Sequence, residues 1–241
     1  MNPIAVSAAA GMRARMESLD LLANNLANAS TNGFKNDSEF YTLFSSQDAT
    51  SGSRLPMIKN QWTDFSQGLL QPTNAPLDFA LSGRGFFTVQ GPSGPLYTRN
   101  GNFRLSRAGV LENAEGYPVR AIGGNPLQSQ SPEPLDVSTD GTVRQGSQVL
   151  GQIELVDFSN SAVLVKHGNN YFRNADPKIK GQPVVGTEVQ QGRIENSNVS
   201  TADSAVRLVS VMRQFEMLQK AITLAGEMDR KSVEEVARVN S

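Results

Sequence analysis

Apolar residues recur at helical spacing only towards the two ends of the chain. From Ala5 onward, Ala5, Ala8, Met12, Leu19, Leu22, Leu26 and Ala29 keep close to a heptad, interrupted at Arg15 with Met16 beside it. The spacing predicts an amphipathic helix that stops at "STNGF", where Gly33 suits the left-handed conformation just past a helix end. Towards the other end, Leu208, Val211, Phe215, Leu218, Ile222 and Ala225 form a second seam, widened by Val209 and Met212. No proline interrupts residues 197–241, and Ser200 followed by Asp203 resembles a capping box with a shorter acid. Gly226 and Asp229 weaken the seam, so the last turns are expected to fray or to find a different neighbour.

Between these helices the period falls towards two. Eighteen of the 21 glycines and eleven of the 12 prolines lie between Phe34 and Val199, which argues against long helices there. "PLDFALSGRGFFTVQ", "LYTRNGNFRLS", "LDVSTDGTVRQ" and "VLGQIELVDF" read as short strands. Asn100-Gly101 and Asp140-Gly141 are hairpin signals, because both residues of a tight hairpin turn must accept positive φ. Gly83-Arg84-Gly85 lacks the third glycine of a dinucleotide fingerprint and reads better as a tight bend between strands. Residues 35–75 fit neither period. They read as an extended connector with one or two strands, and Phe40, Tyr41, Phe44, Trp62 and Phe65 argue against a free tether. The expected fold is α+β. Terminal helices form a coiled-coil-like pair around a central, mostly antiparallel β domain. The expected segments are 1–34 (N-terminal helix), 35–75 (connector), 76–190 (β domain) and 191–241 (return strand and C-terminal helix).

Composition narrows the function more by exclusion than by indication. The net charge of −1 does not suggest a nucleic-acid partner. With no cysteine, disulfides, zinc–thiolate sites and cysteine nucleophiles are excluded. No apolar run approaches the roughly 20 residues of a membrane span, so no direct membrane insertion is expected. The apolar stretch "IAVSAAAGM" has no preceding Lys or Arg, and its apolar face continues past Arg15, so no cleaved signal peptide is expected. His167, the single histidine, sits in "VKHGNNYF" and reads as an exposed loop residue rather than a catalytic base. Neither a Walker loop nor a paired-carboxylate couple stands out. No catalytic, cofactor or metal residue is assigned, and no enzyme is expected.

What remains is the pair of helical seams. The plainer reading is that the two helices pack on each other or on the β domain. The alternative is that they also pack against neighbouring subunits, because an apolar stripe wider than one partner needs must be covered somewhere. The candidate subunit-interface residues are Met12, Leu19, Leu22, Asn24, Asn25, Leu26, Asn28, Phe34, Leu208, Val211, Phe215, Leu218 and Ile222. With Leu19 and Leu26 at heptad position a, Asn24, Asn25 and Asn28 fall at f, g and c, beside the seam. There their amides could fix the register of crowded helices.

Three stretches carry a resemblance. "LANNLANASTNGFK", "LDFALSGRGFFTVQGPSGPLYTRNGNFRLSRAGVLENAEGYPV" and "VQQGRIENSNVSTADSAVRLVSVMRQFEMLQKAI" together cover more than a third of the chain. In that order they resemble the N-terminal signature, central β motif and C-terminal signature of the flagellar rod and hook axial proteins. Residues 36–75 and 125–150 match weakly. The single β domain, the length and "RQFEM" are most similar to the proximal rod branch, then the distal rod branch, and least to hook proteins. The resemblance implies a structural subunit exported unfolded by the flagellar type III pathway without signal cleavage. It implies assembly in the periplasm, with other rod proteins, into a helical tube lined by the terminal helices. Two readings from other classes are a soluble β-domain binding module and a cell-wall enzyme.

Overall fold

The computed structural model describes residues 3–45, 54–131, 133–168 and 170–239. The chain forms two compact units, and neither is continuous in sequence. One gathers Met1–Ala27, Asp37–Asp64 and Ser200–Ser241; the other gathers Asn28–Asn36 and Phe65–Val199.

The first unit contains α1 (Pro3–Ala27), β1 (Asp37–Ser45), β2 (Arg54–Thr63) and α2 (Thr201–Val239). Pro3 occupies the first helical position, where a missing amide hydrogen costs no helical bond. Ser200 caps α2, its Oγ accepting from the Asp203 N–H at 3.4 Å, which is one half of the expected capping box. α2 then runs unbroken through Gly226, about 58 Å at the helical rise, so the weakened seam near Asp229 does not end it. α1 and α2 pack against each other.

The region expected as a connector holds a long hairpin. β1 and β2 pair antiparallel from Asp37 opposite Thr63 to Ser45 opposite Arg54, with a shift of register between Phe40 and Tyr41. The side chains of Ala5, Phe40, Tyr41 and Phe44 lie outside the described residues. Trp62 is exposed, and Phe65 belongs to the second unit, edge-on to Phe86 and Phe172.

The second unit is antiparallel throughout its named strand pairs. In chain order it contains β3 (Leu70–Pro72), β4 (Phe79–Ser82), β5 (Phe86–Gly91), β6 (Gly94–Thr98), β7 (Phe103–Leu105) and β8 (Leu111–Asn113). β9 (Leu135–Val137), β10 (Thr142–Gln145), β11 (Gln148–Gln152) and β12 (Leu155–Asp157) follow. The last are β13 (Leu164–Lys166), β14 (Tyr171–Asn174), β15 (Gln182–Pro183), β16 (Glu188–Gln191) and β17 (Arg193–Glu195). The largest sheet has the order β13-β14-β6-β5-β12-β15. Its two centre strands bury both faces. Phe87, Val89 and Leu96 join the main apolar cluster with Phe79, Leu81 and Phe103, while Phe86 and Tyr97 join a second with Val156, Phe158 and Phe172. A strand covered on both faces has no polar face to alternate with, hence the unbroken "FFTV".

The turn signals divide. Gly83 and Gly85 make the bend between β4 and β5 at φ +125° and +108°. β9 and β10 form a hairpin around Asp140-Gly141, with Gly141 at φ +84°. Asn100-Gly101 is not a hairpin turn. β6 pairs with β5 and β14, whereas β7 pairs with β8. Gly101 is needed for a close approach instead: its carbonyl accepts from Phe79 N–H, and a Cβ there would lie 1.7 Å from the Phe79 carbonyl oxygen. His167 is exposed after β13, as the sequence suggested.

Candidate assembly site

The inward stripe of α2 is the seam read from the sequence. Ser204, Val211 and Ala225 are buried, and Leu208, Phe215, Leu218 and Ile222 are half-buried. The same helix also carries apolar residues outward: Val206 is 71% exposed, Met217 61%, Leu224 59% and Met228 63%. Val209 and Met212, expected to widen the seam, are about half exposed. Val206, Val209 and Met217 line an open groove together with Arg213.

On α1 the buried stripe is turned about one residue from the expected one. Ala8, Gly11, Ala14, Ser18, Leu22 and Asn25 are buried, whereas Met12, Leu19 and Leu26 are half-buried. Small residues let neighbouring backbone approach closely, so the stripe follows size as well as hydropathy. Asn25 therefore lies within the stripe rather than beside it. Its Nδ2 donates to the Asp37 carbonyl at 2.8 Å, and its Oδ1 accepts from the Asp37 N–H at 3.0 Å. Buried Ser18 donates to Glu39 of the same hairpin. Asn24 is exposed. Asn28, half-buried, shapes the turn after the helix: its carbonyl accepts from Thr31 N–H, and its Oδ1 accepts from Thr31 Oγ1 at 3.2 Å.

Phe34, the remaining candidate, is buried within the second unit with Lys166 Nζ 4.1 Å above its ring. It belongs to a segment whose polar groups are nearly all engaged. Gly33 N–H donates to the Glu195 carbonyl at 2.6 Å, and Lys166 Nζ donates to the Lys35 carbonyl at 2.8 Å. Asn36 N–H donates to Asn198 Oδ1 at 2.7 Å. Gly33 has φ +67°, and a Cβ there would meet the Arg99 backbone at 2.4 Å.

At the centre of this segment lies a buried charge cluster. Lys35 and Glu195 are fully buried and bonded at 2.6 Å; Arg99 reaches the other Glu195 oxygen at 3.1 Å. Glu195 also accepts from Gly68 N–H at 2.9 Å, and Lys35 also donates to the Ser66 carbonyl at 2.6 Å. Burial lowers the Arg99 pKa, and the adjacent Glu195 carboxylate opposes that shift. Sequence reasoning missed all three residues. Lys35 and Glu195 stand inside the quoted signatures, but a single lysine and a single glutamate 160 residues apart give no sign of pairing.

Among the described residues, no group of three or more His, Asp or Glu is gathered to hold a metal. Among them too, no helix is long and apolar enough to cross a membrane.

Lys35, Arg99 and Glu195 each fall in a different stretch that matches a known protein family. Residues 5–35 match the family described as "Flagella basal body rod protein", and 190–235 match "Flagellar basal body rod FlgEFG protein C-terminal". Residues 80–155 match "Flagellar hook protein FlgE/F/G D1 domain". The flagellar basal-body rod protein FlgF of Caulobacter vibrioides is 33% identical over 99% of both chains. The chain belongs to the flagellar basal-body rod protein family. FlgF of Mesorhizobium japonicum is 34% identical over 88% of each chain. FlgG of Buchnera aphidicola is 31% identical over 92% of this chain and 95% of its own. This rod-family chain is thus FlgF-like, and its two terminal signatures include the buried helix stripes and the Lys35–Glu195 pair.

Proposed function

We propose that the chain is a structural subunit of the proximal rod of the flagellar basal body, polymerising into a helical shaft through α1 and α2. The observation that carries this reading is the two-sided apolar character of α2. One stripe is buried within the chain, and Val206, Val209, Met217 and Leu224 remain outside it. A second apolar face on a helix needs a second neighbour. A contact between unlike patches of identical subunits that does not close on itself builds an open helix. The interface then comprises the outward face of α2 and the half-buried flanks of both helices: Met12, Leu19 and Leu26 on α1, and Leu208, Phe215, Leu218 and Ile222 on α2.

The partners are other copies and other rod proteins, with the flagellar export apparatus as a transient one. The rod assembles in the periplasm after export without signal cleavage, and the subunit has no catalytic role. A distal-rod role is the second reading, favoured by the similarity to FlgG over nearly the whole chain. The test is the pair Val209→Asp and Met217→Asp in cells, with export of each variant checked separately. Exported variants are expected to leave rods incomplete and cells non-motile, while the melting of the purified protein hardly moves. Normal rods from both exported variants would remove α2's outer face from the interface.

A further inference from the structure

The segment 31–36 is held in the second unit by a different kind of bonding from the strands around it. No residue of 28–36 belongs to either apolar cluster of that unit. The segment is fixed instead by the Lys35–Glu195 pair, by backbone hydrogen bonds and by one ring beneath Lys166. The same bonds reach two other places where the chain passes between units. Lys35 Nζ donates to the Ser66 carbonyl, and Asn198 Nδ2 donates to the same carbonyl at 3.1 Å. Asn198 Oδ1 accepts from Asn36 N–H, and Asn198 N–H donates to the Phe34 carbonyl. The chain leaves or enters this unit after residues 27, 36, 64 and 199. One polar cluster thus ties residues beside three of these four passages, those after residues 36, 64 and 199.

We propose that Lys35, Ser66, Arg99, Glu195 and Asn198 form a clamp that opens and closes as one cooperative unit, separately from the apolar clusters, and so holds or frees these three chain passages together. Its members depend on one another, because each buried charge is tolerable only while its partners stay. Its separateness follows from the bonding. Parts of a fold tied by hydrogen bonds, with few apolar contacts, open at lower free energy than the core. The inference does not depend on the rod assignment.

The experiment is native-state amide exchange on the full chain across low denaturant. The clamp reporters are Gly33, Asn36 and Gly68; the core reporters are Thr88 and Ile153, whose N–H groups bond to Glu154 and Gly141. In the unmodified protein, the three clamp amides are expected to share one opening free energy, below that of the core pair. In Glu195→Gln, Gly33 and Asn36 are expected to exchange at least roughly tenfold faster together with Gly68, although neither bonds to the carboxyl group, while Thr88 and Ile153 stay as they were. Acceleration at Gly68 alone would overturn the clamp as a cooperative unit. An equal change at all five amides would overturn its separateness. If Glu195→Gln does not fold, the unmodified protein decides by the same criterion: unequal clamp openings, or openings equal to the core's, overturn the proposal.

Discussion

Asn25 makes with Asp37 the pair of hydrogen bonds that a neighbouring backbone would make, one given and one taken. This is why an amide sits in a stripe otherwise made of alanine, glycine, serine and leucine. Asn25→Ala improves helix propensity but strips partners from the start of β1. It is expected to destabilise the first unit by about 1–3 kcal/mol, and more than Asn24→Ala at its exposed neighbour; denaturant midpoints measure both. Gly101 is constrained as tightly by proximity. Gly101→Ala brings a methyl against the Phe79 carbonyl, and a loss above about 4 kcal/mol is expected, read from the melting of the second unit. Tyr171 gives a pH-dependent consequence. Burial first, and then the Glu115 carboxylate to which it donates, raise its phenol pKa. A raised folded pKa means that this contribution to stability is complete below the unfolded phenol's value of about 10 and declines as pH rises past it. In an alkaline titration followed by tyrosinate absorbance, Tyr171→Phe is expected to remove a late-titrating group. Loss of a group near the ordinary phenol pKa would contradict that environment.

At the scale of elements, what was legible followed from periodicity, and what was not followed from distance. The seam from Leu208 to Ala225 could be read because large apolar residues repeat along one helix. The α1 stripe could not be placed from Leu19 and Leu26, because its buried positions include Gly11, Ala14 and Ser18, whose value is their smallness. Ala14→Leu, conservative by hydropathy, is therefore expected to cost about 1–3 kcal/mol by overpacking, measured as lost helical signal on heating. The β1–β2 hairpin was obscured because residues 35–75 lack a clean alternation. The Asn100-Gly101 signal misled because a glycine demanded by close approach looks, in sequence, like one demanded by a turn. The charge cluster was the least legible feature. Burial turns an ordinary lysine and glutamate into partners, and nothing near either residue announces it.

At the scale of the molecule, the division into units cuts across the chain order of helix, connector, β domain and helix. The β unit recruits residues 28–36 from beyond the hairpin. A chain beginning at Asn28 keeps Lys35, and the melting of its β unit is expected to match the full chain's. A chain beginning at Asp37 leaves Glu195 without its lysine, and its β unit is expected to lose about 3–5 kcal/mol; calorimetry of the two truncated chains separates these outcomes. The separation of the pair also constrains the course of folding. Joining Lys35 to Glu195 closes a loop of 160 residues, whose length-dependent entropy alone costs about 4.5 kcal/mol. During synthesis Lys35 is made early and its carboxylate partner late. A partial chain that ends before Glu195 thus carries Lys35 without the carboxylate it meets in the finished β unit.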